Sequence, residues 1–496
     1  MMWPFKKRLV KTKIVSVPLR GRRANARFDA AQDTPDNRNH WANADSLGPA
    51  TALIPSVRRD LRNRSRYEVF NNSYARGIVE TLANDVIGTG PRLQMLGPDH
   101  DANRIIEVAF ASWARMVCLA EKLRTMRVAR AQDGEAFGII IRNDRLKHAV
   151  KFDLRLVEAD MVASPDPWQA DLADGIRYDE AGNPESYHIL DTHPGDLDMF
   201  ASTSGRWTDA GSILHWYRVD RPGQKRGVPD IMPALPLFAQ LRRYTLAVIG
   251  AAEAAAEMAI VLQTTLPTTT GAPDGIEAAT EMEWARQQMT FLPEGWGASQ
   301  IKAEQPPQAY DIFKREILNE IARCLNMPYN VAACNSSSYN YASGRLDHQT
   351  YFRAIAIEQS EAERIILDPI LSAFLTAVRY RLGMKADSAL HQWFWSGREH
   401  VDPAKEATAQ ETRLKNHMTT FAAEYARGGL DWEEELNQRA RELKLMRQLG
   451  LPEPSAKPTG APGDNGGKPR ESGGGNGNDE ARFVPEAVAR RGRCDV

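Results

Sequence analysis

Residues 212–262 constrain the fold of this chain more than any other stretch. They open on a β-type run, Ile213-Leu214-His215-Trp216-Tyr217. They then turn through a basic Pro/Gly loop, Arg221-Pro222-Gly223-Gln224-Lys225-Arg226-Gly227, into Val228-Pro229-Asp230. A long helix-forming run follows and becomes almost pure Ala/Glu at residues 251–257. These residue types dictate strand, tight loop and small-residue helix. They dictate no chemistry.

At 496 residues the chain exceeds one ordinary core, so about two to four structural units are expected. A net charge of -1 excludes a uniformly basic coat for nucleic acid. The distribution is more telling, because residues 1–30 carry nine Lys/Arg against the single acid Asp29. Cys118, Cys324, Cys334 and Cys494 form no CxxC pair and no zinc spacing, and read as free thiols of a cytoplasmic product. The basic N-terminus lacks a continuous apolar core after its charges, so it is not a secretory signal. The apolar stretch 244–262 contains Glu253 and Glu257. Each would cost roughly 2.5–3.5 kcal/mol at a bilayer centre, so a soluble protein with no membrane partner is expected.

Residues 1–45 read as a flexible basic arm. Tyr74, Ile78, Leu82 and Val86 recur every fourth residue on one helix face, which Gly88, Gly90 and Pro91 terminate. Between Phe137 and Val219 the period falls to two: Val150, Phe152, Leu154 and Leu156 alternate with Lys151, Asp153 and Arg155. Gly182-Asn183-Pro184 between Tyr178 and Tyr187 marks a hairpin. Ile213–Tyr217 is expected to close a mainly antiparallel sheet.

Helices dominate from Pro229 onward. One is expected over 229–262, followed by a Thr/Pro/Gly break and a small mixed unit over 263–308. A second, over 309–326, carries Phe313, Ile317, Ile321 and Leu325 on one stripe and ends before Pro328. A polar loop over 333–343 contains Ser336, Ser337, Ser338, Tyr339, Asn340 and Tyr341. A long helix runs from Arg345 towards Gly383, kinked at Pro369. More helix lies over 401–450, ended by Gly450 and Pro452. Eight glycines and five prolines in residues 451–480 predict a disordered tail over 451–496. The fold class is α+β, predominantly helical.

The sequence offers three candidate chemistries. A phosphate-cradling loop needs GxxxxGK followed by Ser or Thr. The nearest approach, Gly466-Gly467-Lys468-Pro469, has Pro462 for the first Gly and Pro469 for the hydroxyl residue, so no ATP site is expected. His188, Asp191, His193, Asp196 and Asp198 crowd into one short stretch and offer a metal-dependent nuclease reading. They surround Pro194-Gly195, where Asp and His are ordinary turn residues. Glu442 and Lys444 resemble the tail of a nuclease motif but fall among alternating charges on a polar helix. No catalytic residue, metal or cofactor is assigned.

Glu253 and Glu257 are four apart, hence on one helix face, among alanines that permit close helix packing. Either they are the solvated stripe of a good helix former, or, copied around a closed ring, they would make a band of negative field that repels phosphate and lets DNA slide. The Ser336–Tyr341 loop, with Arg345 beyond it, is either a surface connection or a set of weak DNA contacts.

Several segments together resemble the portal proteins of lambda-type tailed phages. Besides the Arg221 loop, these are Leu61-Arg62-Asn63-Arg64-Ser65-Arg66, Asn71-Asn72-Ser73-Tyr74-Ala75-Arg76-Gly77 and Val86-Ile87-Gly88-Thr89-Gly90. Asp133-Gly134-Glu135-Ala136-Phe137 resembles the family's G-E-x-F strand entry, and Leu325-Asn326-Met327-Pro328-Tyr329 its helix end. Asn340-Tyr341-Ala342-Ser343-Gly344-Arg345 is similar to N-Y-S-S-x-R, with Ala342 and Gly344 as departures that bear on loop conformation.

The resemblance implies a ring, typically of twelve copies, at one capsid vertex. It implies an α/β wing over 46–228, stem helices over 229–262 and 309–326, and a clip over 263–308 between them. A tunnel loop would follow over 327–344, a long kinked helix returning to the wing over 345–400, and a helical crown over 401–450. It further implies a passive channel for double-stranded DNA during packaging and ejection. The implied partners are the terminase large subunit, the major capsid and scaffold proteins and the head-tail connector. The implied location is the virion head vertex, with host cytoplasm during assembly. The competing readings are a metal-dependent DNA enzyme and a head adaptor without a channel.

Overall fold

The computed structural model describes residues 39–165, 174–196, 204–257, 261–264, 296–299, 309–337, 340–382, 390–397 and 403–451. The flexible-arm reading over 1–38, the disordered-tail reading beyond 451 and most of residues 263–308 lie outside the described residues.

Helices α1 (Pro49–Ala52), α2 (Pro55–Asn71) and α3 (Ser73–Ile87) open the fold. Asn72 separates the last two: its Oδ1 accepts from the Tyr74 and Ala75 amides at 3.1 and 3.4 Å, capping α3. The predicted stripe of α3 is realised, with Ile78, Leu82 and Val86 buried and Tyr74 partly so. Gly88 ends the helix at φ +55, a conformation that favours glycine. Strand β1 (Arg92–Met95) leads to α4 (His100–Met116) and α5 (Leu119–Asp133), neither of which had been expected. On α4, Ile106, Phe110 and Trp113 face inward. Trp113 and Phe110 meet Phe152 and Phe374 at ring separations of 4.6 and 5.2 Å, so the core joins both halves of the chain.

Strands β2 (Glu135–Arg142), β3 (Phe152–Val157), β4 (Ile176–Tyr178), β5 (Pro184–Leu190), β6 (Gly205–Asp209) and β7 (Ile213–Tyr217) follow. They form two three-stranded antiparallel sheets, β3-β2-β7 and β4-β5-β6, rather than one. The division falls between β6 and β7. There Asp209 accepts a hydrogen bond from the Gly211 amide at 2.9 Å, and a 3-10 turn redirects the chain. The expected hairpin joins β4 to β5, with Gly182 at φ +86.

The helix expected over 229–262 is shorter. Helix α6 runs Leu235–Glu257, and Val261 and Leu262 belong instead to β8 (Val261–Thr264), paired with β9 (Trp296–Ser299). Pro229, Pro233 and Pro236 have no amide to donate, so a regular helix begins only where prolines fall before it or in its first turn. Helix α7 (Ala309–Arg323) ends earlier than 326, because Asn326 takes φ +54 while the Met327 amide reaches back to the Ala322 carbonyl at 3.1 Å. After a single turn, α8 (Tyr329–Ala332), helix α9 (Tyr341–Ala362) starts inside the segment expected to be loop, which shortens to 333–340. Pro369 sits at the start of α10 (Asp368–Leu382), preceded by a π-helical turn over Glu363–Leu367. The amide that proline lacks leaves the Ile365 carbonyl without its normal partner, and the helix widens locally.

Strand β10 (His391–Phe394) then pairs antiparallel with β1 and carries the chain back to its N-terminal half. Helices α11 (Pro403–Lys415), α12 (Phe421–Arg427) and α13 (Trp432–Gln448) complete the fold. Among the described residues no helix is long and apolar enough to cross a membrane. Cys324 and Cys334 are free thiols, as expected, whereas Cys118 is disulfide-bonded, which corrects that reading for it.

Candidate functional site

Three of the segments singled out in the sequence converge on one buried point. On α2, Arg58, Arg62 and Arg66 recur at helical spacing and share a face that turns inward. At the α5–β2 junction, Gly134 takes φ +94 and aims the wholly buried Glu135 into the same space. The loop at 221–227 closes over it. Arg226 donates from Nε to both Glu135 oxygens at 3.0 and 2.8 Å and from Nη2 at 2.6 Å, and the Gly227 amide adds a bond at 3.1 Å. Arg58 reaches Glu135 at 3.3 Å and also pairs with Asp174, while Arg62 binds Asp160 at 2.8 Å. Arg66 binds Asp133 at 2.7 Å. The glycines are required by backbone contact. A Cβ on Gly134 would lie 2.3 Å from the Val228 carbonyl carbon, and one on Gly227 would lie 2.0 Å from the Gly134 oxygen.

Burial pushes the Glu135 carboxyl up, but the Arg226 guanidinium, the His215 hydrogen bond and Arg58 outweigh it and hold it well below the ordinary range. Burial and neighbouring Arg226 lower Arg58 to about 9, so it stays charged at neutral pH. Burial also lowers His215, which is therefore neutral there. Because the Glu135 carboxylate only accepts, His215 Nε2 donates to it at 3.1 Å. Its ring is stacked between Phe137 and Tyr217 at 4.3 Å each. Gln224 organises the loop itself: Oε1 accepts from the Asp220 and Arg221 amides, and Nε2 donates to the Arg218 and Arg226 carbonyls. Both faces of that amide are satisfied. The basic loop is thus an internal clamp, and Arg226 is buried rather than available to DNA.

A second centre lies one step along the chain. Asp230, also buried, accepts from Arg127 Nη1 at 3.0 Å and faces Arg218 at 3.4 Å. Arg127 simultaneously grips Glu358 on α9 through Nε and Nη2 at 2.8 and 3.0 Å. Arg130 pairs with Glu361 at 3.3 Å and lies over the Trp216 ring. Nothing in the local sequence marks the arginines of these centres as buried. The available signal was the i, i+4, i+8 spacing of Arg58, Arg62 and Arg66.

The expected channel residues lie elsewhere, in two groups. Glu253 is exposed on α6, and Glu257 is that helix's last residue. Ser336 and Ser337 are exposed after α8, Asn340 is exposed just before α9, Tyr341 starts α9, and Arg345 is exposed one turn on. Ser338 and Tyr339 lie outside the described residues.

The His and Asp residues at 188–198 do not come together as one set of ligands. His188 is buried beneath its sheet and bonds the Ala163 carbonyl at 2.8 Å, away from solvent. Asp191, His193 and Asp196 do line one cavity of about 560 Å³ with Glu158, Arg155 and Arg206, while Asp198 lies outside the described residues. Glu158, Asp160 and His193 present ligand atoms within 4.8 Å of one another. Yet Asp160 already meets Arg62 and Arg66 at 2.8 Å each, and Arg66 also approaches Glu158 at 3.6 Å. A cation there would face two guanidinium groups, so the donor set does not suit a metal.

Buried arginine–carboxylate pairs join α2, the α5–β2 junction, the loop at 221–227 and α9, and act as internal joints between these elements. The chain belongs to the lambda family of phage portal proteins, whose family model matches residues 36–359. It is 23% identical over 461 residues to a probable portal protein of Halomonas phage phiHAP-1, covering 87% of this chain and 88% of that one. Portal protein B of Escherichia phage lambda is 22% identical over 464 residues, covering 82% and 87%. Among solved structures, a chain from the virion of a native gene transfer agent particle aligns with TM-score 0.44 and 12% identity over 80% of this chain and 99% of that one. An HK97 family phage portal protein from Corynebacterium diphtheriae aligns with TM-score 0.30 and 13% identity, covering 69% and 98%.

Proposed function

We propose that this chain is the subunit of a ring at one vertex of a phage head, through which double-stranded DNA passes inward during packaging and outward during ejection. Family membership over residues 36–359 is the observation that carries this reading. The lone chain supports it in a second way. From Arg242 to Glu253, α6 has no buried residue, although Leu246 and Ile249 are 61% and 47% exposed. On α7, Ile312 and Phe313 are 62% and 47% exposed. Exposed apolar helix faces of this kind are what identical copies packed around an axis would cover.

In this reading α6 and α7 are the stem, and the segment between them is the clip that meets the terminase large subunit and later the head-tail connector. The α/β region before Pro229 is the wing, 333–340 is the tunnel loop, and α11–α13 form the crown. The role is passive: a separate ATPase supplies the energy, and capsid and scaffold proteins surround the ring. The protein would assemble in host cytoplasm and reside at the virion vertex.

Native mass of the purified chain, with negative-stain images of the same sample, tests the proposal. A closed ring of about twelve subunits with a central hole is the expected result. A monomer or dimer that persists with scaffold and capsid protein present would overturn the channel.

A further inference from the structure

We infer that Arg127 is a positioning residue: one buried guanidinium locks the root of α6 to α9, so that the stem helix and the polar loop before α9 keep one relative orientation. The inference rests on the portal reading for its purpose, but its geometry stands within the single chain.

Arg127 on α5 is 1% exposed and divides its donors between two elements that are remote in sequence. Nη1 binds Asp230 at 3.0 Å, in the buried segment that leads into α6. Nε and Nη2 bind both oxygens of Glu358 on α9 at 2.8 and 3.0 Å. One turn along each helix, Arg130 and Glu361 repeat the α5–α9 contact at 3.3 Å. The root of α6 has no slack, since residues 226–231 are all buried and Gly227 abuts the Gly134 backbone. Helix α9 is equally held, because Tyr351 donates to Asp85 at 2.7 Å and Gln359 to the Val86 carbonyl at 2.8 Å.

From Glu358 back to Tyr341 the helix spans roughly 25 Å at 1.5 Å per residue, so it is a lever whose far end carries the loop. A small change of angle at Glu358 becomes a large displacement there. Only a planar fork serves both ends at once. A lysine ammonium keeps the charge but cannot hold one carboxylate bidentately and another beside it.

Hydrogen–deuterium exchange on the full-length protein tests the coupling, with Glu358→Gln as the perturbation. Glu358 is partly solvated, so this change is milder than removing Arg127. Amides of residues 228–238, which Glu358 does not touch, should exchange about tenfold faster, while β2 and β7 around Glu135 stay protected. Arg127→Lys should loosen the same amides. Unchanged exchange at 228–238 in Glu358→Gln overturns the clamp, as does a uniform rise that includes β2 and β7. Wild-type protection in Arg127→Lys overturns the need for the fork. The readout needs no ring, so failure of wild-type rings would remove the portal reading without touching this one.

Discussion

Arg226 and Glu135, 91 positions apart, meet through three short contacts inside the protein, at 2.6, 2.8 and 3.0 Å. The guanidinium also donates to the Val162 carbonyl at 3.1 Å and to the Asp174 carbonyl. One side chain therefore ties the loop before α6 to β2, to Val162 and to the residue pair that leads into β4. Two sequence signatures that seem independent, the G-E pair at Gly134 and the R-G pair at Arg226, are the two halves of one joint.

Removing Arg226 takes from the buried Glu135 its closest partner and leaves it with Arg58 and His215. Arg226→Leu should cost about 3–5 kcal/mol, the range for breaking a buried pair from one side. Arg226→Leu combined with Glu135→Gln should cost less than Arg226→Leu alone, because the carboxylate that lost its main partner is gone while Arg58 keeps Asp174. Urea midpoints of the three proteins decide this, and a double variant no more stable than Arg226→Leu alone would sink it.

Acid should unfold the protein in a characteristic way. His215 is lowered from its ordinary 6.5 by burial, so the unfolded imidazole takes a proton first and stability falls as pH drops through that value. Glu135 is held below its ordinary 4.5, so its contribution is complete above 4.5 and drains away below it. Stability measured from pH 7.5 to about 4 should show the first limb in wild type and a flatter one in His215→Gln. An identical slope in both would mean that His215 is not the group responsible.

How much of this was legible varies by element for physical reasons. Helix α3 was readable because Ile78, Leu82 and Val86 repeat locally and Asn72 and Gly88 mark its ends. The irregularity at Pro369 was readable because a missing amide is a property of one residue. The arginine stripe of α2 was visible as spacing, but its burial depends on Glu135, Asp133 and Asp160, far along the chain. A basic loop and a buried arginine clamp are the same text until the fold supplies the acid. The strand at Val261–Thr264 was missed because apolar residues continuing a helix look alike in either period.

Glycine substitutions should separate close approach from mere flexibility. Gly134→Ala combines φ +94 with a contact against the Val228 backbone, and should destabilise by more than about 1 kcal/mol. Gly77→Ala, on an exposed turn of α3 with open space around it, should instead stabilise by roughly 0.5–1 kcal/mol. Thermal melts of both, shifted in opposite directions, would fit the structure, and two shifts of the same sign would not.

The last prediction concerns the acids of α6. Lysine forms helix about as well as glutamate, so Glu253→Lys with Glu257→Lys should leave α6 intact and rings unchanged in native mass. The exposed position of Glu253 makes the reversal tolerable in the single chain. In the proposed ring with both acids turned to the axis, each copy would exchange two negative charges for two positive ones there. Phosphates would then be held by counterion release, and the duplex would stick rather than slide. Packaged DNA should fall by about tenfold or more, with partial recovery as salt rises and screens the contact. Normal packaging by rings of the double variant would take Glu253 and Glu257 out of the channel wall.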